Sequence, residues 1–457
     1  MKPTRRNFIK TAVAGTLASV VTPAAFAGAS EGNATIGLPT VLSPNVIGAN
    51  DRIRVAVLGV NGRGGSHISS IMRLTETDNV VVAALCDPDM NVLQTKAKAF
   101  EDTHKQKVAI QQDFRKLYES KDIDAVSIAT PNHWHALQAI LACQAGKDVY
   151  VEKPGTHNIS EGRKLIEAAY KYNRIVQHGI QLRSNEAVRE AVQHLRDGLI
   201  GRVYMSRGLV FRQRADIGNK GISRVPDGFD YDLWCGPAPM VPFTQNLVHY
   251  NWHWHWNYGN GDVGNQGIHE TDLCMWGLDV GLPERITSMG GKFLWDDCKE
   301  VPELHTALYL YPKEKKMIQF EIRPWYTNME EGITPTANIA VGNIFYGDKG
   351  VLVVNDYNEY STYLGRNREK GPSNKTTGDL HFKNWFTAIR ARDMSLQNGP
   401  VESAHTASAL AHLGNISYRL GRHLNFDPVA ERFIGDEDAN NMLTRQYRSP
   451  YLMPEKI

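Results

Sequence analysis

The chain has 457 residues, 42% of them hydrophobic, and its 51 basic and 49 acidic side chains leave a formal net charge of +2 at pH 7. Charges of both signs are interspersed, so neither nucleic acid nor an anionic membrane surface is an expected partner. Five scattered cysteines (Cys86, Cys143, Cys235, Cys274 and Cys298) include no C-x-x-C pair and suggest no disulfide framework, and Cys86 and Cys143 have the apolar context of buried thiols.

Thr4-Arg5-Arg6-Asn7-Phe8-Ile9-Lys10 leads into an uncharged stretch from Thr11 to Ala27, where Ala25-Phe26-Ala27 has the small-x-small form of a cleavage site. Basic, apolar, small is the order of a signal peptide, and the apolar part is too short and too rich in Ala, Gly and Thr to span a bilayer. The paired arginines resemble the twin-arginine export signal, which carries folded proteins. Residues 1–27 therefore predict a periplasmic location, with any nucleotide carried inside the fold. No cysteine stands near the cleavage site, so no lipid anchor is expected. Residues 28–50 read as a linker or arm. The roughly 430 residues beyond the signal are enough for two domains.

From residue 51 strands and helices alternate. Val55, Val57 and Leu58 form a short apolar strand that breaks into a glycine-dense turn of Gly59, Asn61, Gly62, Arg63, Gly64 and Gly65. Such a turn lets backbone N–H groups approach a pyrophosphate at the N-terminus of the next helix. Asn61 stands where the G-x-G-x-x-G fingerprint has its second glycine. The next apolar run, from Val80, ends in Asp87, 28 residues after Gly59, where a carboxylate could accept both hydroxyls of an adenosine ribose and repel a 2′-phosphate. NAD is the expected cofactor; Arg63 in the turn keeps NADP open. Further on, the pattern predicts a helix over Met90–Phe100, a strand at Val108–Ile110 and a helix over Phe114–Ser120. A buried strand follows at Ala125–Ala129, then a helix from His135 to Ala145 stopped by Gly146. Last come a strand at Asp148–Val151, a helix over Ser160–Tyr172 and a strand at Ile175–Gln177. This is a doubly wound parallel sheet, a Rossmann domain over 51–178, whose ligand belongs at the strand C-termini. Loops 130–135 and 152–157 lie at such ends.

Thr130-Pro131-Asn132-His133-Trp134-His135, Glu152-Lys153-Pro154 and Gly261-Asp262-Val263-Gly264-Asn265-Gln266-Gly267-Ile268-His269-Glu270-Thr271-Asp272 together resemble the Gfo/Idh/MocA oxidoreductase family, over about residues 51–425. The resemblance implies an α/β chain with an N-terminal Rossmann domain and a C-terminal α/β domain (179–425) built on a large, mostly antiparallel open sheet. It implies tightly bound NAD, a carbohydrate or polyol substrate reacting at a secondary hydroxyl, and a homo-oligomer, dimer or tetramer. Carried onto this chain, it makes Lys153 and His269 the catalytic pair. The cofactor residues are Gly59, Asn61, Gly62, Arg63, Gly64, Asp87, Thr130, Asn132, His135, Glu152 and Lys153. It also implies that His269 faces the nicotinamide and that the Lys153–Pro154 bond is often cis.

Oxidising a carbinol requires a group within hydrogen-bond reach to take the hydroxyl proton. His269 has a suitable intrinsic pKa; Lys153, if desolvated near another cation, could relay the proton or stabilise the developing alkoxide. Many relatives carry an aspartate where this chain has Asn265, and an amide cannot take up a proton, so base and orienting group remain unassigned between Lys153 and His269. Trp252-His253-Trp254-His255-Trp256-Asn257-Tyr258 offers aromatic faces and polar groups suited to a sugar ring, and alternates like a strand with one apolar face. Arg183, Trp254, Tyr258, Asn265 and His269 are the expected substrate contacts, with Arg212 and Tyr326 as weaker ones. A zinc site would need His253, His255 and His269 together, a third ligand the spacing does not supply, and no metal is expected.

Ala307–Tyr311, Met317–Ile322 and a hairpin within Gly342–Val354 predict the second sheet, residues 402–421 a helix, and 426–457 an irregular arm reaching to a neighbouring subunit. Three functions remain open: net oxidation or reduction of a sugar, glycoside or polyol; a redox-neutral, NAD-dependent glycosidase working by oxidation and elimination; and a cofactor-holding binding protein without turnover.

Overall fold

A computed structural model describes residues 51–325, 330–335, 339–378 and 380–457. The expected export signal, the linker at 28–50 and Tyr326 lie outside the described residues. Strands β1 (Ile53–Leu58), β2 (Val80–Cys86), β3 (Ala109–Gln111), β4 (Ala125–Ile128), β5 (Asp148–Val151) and β6 (Val176–His178) form a parallel sheet in the order 3-2-1-4-5-6. Strand order reverses between β1 and β4, which opens a crevice at their C-terminal ends. β1, β4 and β5 are nearly continuous runs of buried residues because helices cover both faces.

The helix expected from His135 begins at Asn132 and runs to Gln144. Pro131, with φ −58° and ψ 151°, is its last extended residue, and proline's fixed φ sets the start there. Asn132 to His135 therefore form a helical first turn. The C-terminal sheet holds β7 (Val203–Arg212), β8 (Arg285–Gly291), β9 (Leu304–Tyr311), β10 (Lys316–Arg323), β11 (Ile339–Gly347), β12 (Gly350–Asn355), β13 (Glu359–Leu364), β14 (Glu369–Lys375), β15 (Leu424–Asp427) and β16 (Arg432–Phe433). Its order is 14-13-12-11-7-10-9-8-15-16, antiparallel except where β7 runs parallel to β10. Alternate residues of β9 and β10 are buried, so one face carries the core (Ala307, Tyr309, Ile318, Phe320), while Leu308 and Leu310 on β9 face outward.

Two later segments join the Rossmann core. Phe382, Trp385, Phe386 and Ile389 of the helix His381–Ala391 pack with Val55, Leu85 and Tyr150. Tyr451, Met453 and Ile457 join Trp134, Leu137 and Leu165. The terminal stretch expected to reach a neighbour thus lies on its own chain, anchored by apolar side chains the irregular sequence pattern did not expose. The alternation of Trp252–Trp256 does not make a strand either: Asn251–Trp254 is a single turn of 3₁₀ helix. His253 stacks on Trp252 at 3.5 Å, Arg214 lies over Trp254 at 4.9 Å, and Trp252 joins a buried cluster with Phe229, Trp234 and Tyr258, so the aromatic residues do not pack across a sheet.

Candidate functional site

The crevice at the β1–β4 switch is a cleft with about 1250 Å³ of open space. Gly59 leaves β1 at φ +79°, and a Cβ there would stand 2.6 Å from the Ala129 carbonyl oxygen. At Gly64 a Cβ would meet the Gly59 carbonyl oxygen at 2.1 Å, so this glycine lets the helix Arg63–Arg73 approach the strand. Gly62, the residue before that helix, has nothing within 4 Å of its would-be Cβ, and no acidic side chain stands in the first turn. A helix N-terminus open to the cleft is suited to a pyrophosphate. At the end of β2, Asp87 is buried, with Oδ2 accepting from Val60 N (3.0 Å) and Oδ1 from Asp89 N (3.1 Å). Burial raises its carboxyl to about 6 despite these bonds. These features fit a dinucleotide with a free ribose diol; Gly59, Asn61, Gly62, Arg63, Asp87, Thr130, Asn132 and His135 all line the cleft, and Gly64 lies beneath it.

At the other end lie Glu152, Lys153 and Asn265. Glu152 Oε1 accepts from Arg63 Nε (2.7 Å) and His67 Nε2 (3.0 Å). Burial opposes its ionisation, but Arg63 and His67 outweigh it and hold the carboxyl well below its ordinary range. Lys153 follows directly, in a cis peptide with Pro154, and its Nζ donates to the main-chain carbonyl of Asn265. Burial lowers the Lys153 pKa, with Glu152 opposing and Arg63 reinforcing the shift. His135 bridges the two loops: Nδ1 meets Pro154 O at 2.6 Å and Nε2 meets Thr130 O at 2.7 Å. It touches the cleft, but its nitrogens are used to hold the loops in place.

His269 opens the helix Ile268–Leu278 and is buried, its Nδ1 without a hydrogen-bond partner among the described residues. Burial, then the charge of Lys153, lowers its pKa to about 3, which keeps the ring neutral. Behind it stands a network in which the nearby carboxylates Asp262 and Glu270 find partners that the sequence does not show. Tyr357, whose ring lies 5.3 Å from that of His269, donates to Glu270 Oε1 at 2.5 Å and accepts from Gln266. Asp262 pairs bidentately with Arg214 and accepts from Asn265 Nδ2 at 3.3 Å. The Arg214–Asp262, Glu270–Tyr357 and Gln266–Tyr357 pairs lie 48 to 91 positions apart in sequence, beyond any spacing rule.

Three expected substrate contacts are placed elsewhere. Arg183 is held bidentately by Asp272 at 2.8 Å, a charge pair that takes its guanidinium out of reach. Tyr258 is buried, donates to Pro239 O at 2.8 Å and packs against His133. Trp254 is buried beneath Arg214. Of the weaker pair, Arg212 donates to Gln266 Oε1 at 3.3 Å. His253 and His255 are turned to Tyr250 O and Glu300. Among the described residues no group of three or more His, Cys, Asp or Glu side chains could hold a metal ion. Pro88, Trp234 and His249, which the sequence does not single out, also line the cleft, as does His253 of the aromatic segment.

Glu270 yields a stability prediction. Burial holds its carboxyl up at about 8, and Oε2 has no partner among the described residues. An unfolded chain loses this proton near 4.5, so between about pH 4.5 and 8 the folded chain binds more protons and loses stability as pH rises. Glu270→Gln removes that term. From about pH 5 to about pH 9 the Tm difference should move by a few degrees in favour of the variant. Parallel Tm curves for the two proteins across this range would contradict the buried-carboxyl account.

Residues 53–180 match the oxidoreductase family's NAD-binding Rossmann fold, and residues 209–288 and 374–453 match its C-terminal alpha/beta domain. Among curated relatives, a glycosyl hydrolase family 109 protein of Shewanella pealeana is 34% identical over 177 residues, 37% of each chain. One from Saccharopolyspora erythraea is 30% identical over 167 residues, 35% of each. The chain spans little more than a third of the length of the curated relatives it matches. Among solved structures, the WlbA dehydrogenase from Bordetella pertussis in complex with NADH and UDP-GlcNAcA is 19% identical, with TM-score 0.61 over 82% of this chain and 99% of that one. Levoglucosan dehydrogenase in complex with NADH and levoglucosan is 17% identical, with TM-score 0.63 over the same shares. At these identities the likeness is one of fold.

Proposed function

Since this chain belongs to the Gfo/Idh/MocA family of NAD-binding oxidoreductases, we propose that it oxidises or reduces a secondary hydroxyl of a sugar, glycoside or polyol, with Lys153 handling the hydroxyl proton. The observation that carries this reading is the contrast between Lys153 and His269. Burial lowers the pKa of both, which moves the lysine toward the working range of a base and the histidine, at about 3, away from it. His269 then orients the substrate hydroxyl as a neutral ring, and Glu152, fixed by Arg63 and His67, keeps the ammonium form of Lys153 in place. Asn265 positions the Lys153 Nζ through its carbonyl. NAD in the cleft would supply the hydride acceptor, held by the Gly59–Gly64 turn and Asp87. The order of residues 1–27 supports export of the folded chain to the periplasm, and the outward apolar residues of the second sheet support a homo-oligomer.

The relatives named glycosyl hydrolase family 109 favour a second reading, in which oxidation is transient and an aglycone leaves by elimination. A panel of free sugars and aryl glycosides separates the two. Net NADH that accumulates in proportion to substrate supports oxidation; aglycone release without net NADH supports cleavage. Neither product with any member, in protein that binds NAD, would sink both and leave a binding protein.

A further inference from the structure

A second cavity, with about 900 Å³ of open space, is lined by His157, Trp256, Asn260, Asn415, Arg419 and Arg445. Asn132, which lines the cofactor cleft, donates from Nδ2 to Oδ1 of Asn260 in this second cavity (3.1 Å). Two guanidinium groups stand here without an ion-pair partner among the described residues. Arg445 Nη1 donates to His157 Nδ1 (3.1 Å) and Asn257 O (3.0 Å), and Arg419 lies over the Trp256 ring at 5.1 Å. The nearest carboxylates are engaged elsewhere: Glu161 accepts from His157 N and Tyr447, and Glu300 from Trp256 N. Burial lowers the Arg445 pKa against the pull of Glu161, whereas Arg419 is solvent-exposed.

Two further buried polar atoms have no partner among the described residues. Because His157 Nδ1 accepts from Arg445, its proton sits on Nε2, which faces the Gly259 carbonyl without completing a well-formed hydrogen bond. Asn415 is 5% exposed and donates from Nδ2 to Asn260 O, which leaves Oδ1 an acceptor with no donor. Buried groups left unpaired are costly, and both of these belong to residues that line the cavity. Cations and an N–H donor ask for an oxyanion, and a lone amide oxygen asks for a hydroxyl.

We propose that this cavity is a second binding site, distinct from the cofactor cleft, for a small hydroxylated anion of the sugar-acid or sugar-phosphate class. Arg419 and Arg445 pair with the anionic group, and Asn415 Oδ1 accepts from a hydroxyl. Since His157 follows Lys153 on one loop and Asn260 bonds Asn132, the site touches both walls of the catalytic cleft.

The test is calorimetric titration of the full chain, kept saturated with NAD so that the glycine turn is occupied, with gluconate, a hexose phosphate, inorganic phosphate and glucose. Saturable binding of gluconate or the hexose phosphate is expected, at least tenfold tighter than that of glucose. Arg419→Gln and Arg445→Gln should each weaken it about tenfold, as for a charged hydrogen bond. If Arg445→Gln does not fold, Arg419→Gln carries the test, because the Arg419 guanidinium makes no hydrogen bond among the described residues. No anion binding, equal binding of glucose, or undiminished binding in Arg419→Gln would overturn the site. Inorganic phosphate bound as tightly as either sugar anion would overturn the hydroxylated class of ligand.

Discussion

Replacing Lys153 with methionine should lower kcat by about 10²–10⁴-fold, the range for loss of a positioned proton-transfer group. Affinity for NAD should change by less than about tenfold, because the turn and Asp87 carry most of that binding. Methionine keeps the apolar stem's volume and removes only the ammonium that Asn265 O holds. The pH profile separates Lys153 from its neighbour. Oxidation needs the neutral amine, so kcat/KM rises with pH to a limb below the ordinary lysine value, set by the lowered Lys153 pKa. His269→Asn should reduce the rate and keep that limb, since a ring with a pKa of about 3 does not titrate there. A limb that vanishes in His269→Asn and survives in Lys153→Arg would transfer the proton to His269.

The second large effect is at Asp87. Asp87→Asn keeps an acceptor for Val60 N but removes the charge, and should weaken NAD binding by about 2 kcal/mol, roughly thirtyfold, as expected for hydrogen bonds to an ionised group. NADP, which the carboxylate repels, should lose nothing or gain. Because the Asp87 carboxyl is raised to about 6 and the bound diol favours its ionised form, wild-type NAD affinity should fall as pH drops through about 6. Asp87→Asn should flatten that dependence. Unchanged selectivity between NAD and NADP would mean that the ribose is read by another group, with Arg63 in the turn the first to test.

What sequence exposes and what it hides divides along contact range. The β1 run, the Gly59–Gly64 turn and Asp87 were legible because strand period and glycine placement are local, and Gly59, Gly62 and Asp87 line one end of the cleft. Lys153 was legible from Glu152 and Pro154 beside it. Arg183 and Tyr258 were misread because their partners, Asp272 and Pro239 O, lie in other segments, and no periodicity announces a partner 89 or 19 residues away. Trp252–Trp256 alternates like a strand, yet Arg214 and stacked His253 give its rings local contacts that a 3₁₀ turn satisfies. Tyr357 and Glu270 form the least legible pair, joined only once β12 and β13 bring Tyr357 beside the helix that starts at Ile268. His135 had the right place and a different task, because the two carbonyls that claim its ring come from two loops.

The most direct measurement is a single-turnover reaction of the NAD-loaded chain with sugars and glycosides deuterated at their ring carbinol carbons, followed by mass spectrometry of the nicotinamide. Deuterium on the cofactor recovered from quenches taken through the turnover, for at least one substrate and lost in Lys153→Met, is the predicted result; it persists after net oxidation and is transient in oxidation–elimination, where the deuteride returns to the sugar. Cofactor that stays unlabelled with every substrate, in protein shown to bind NAD and intact by its thermal transition, would contradict hydride transfer at this cleft.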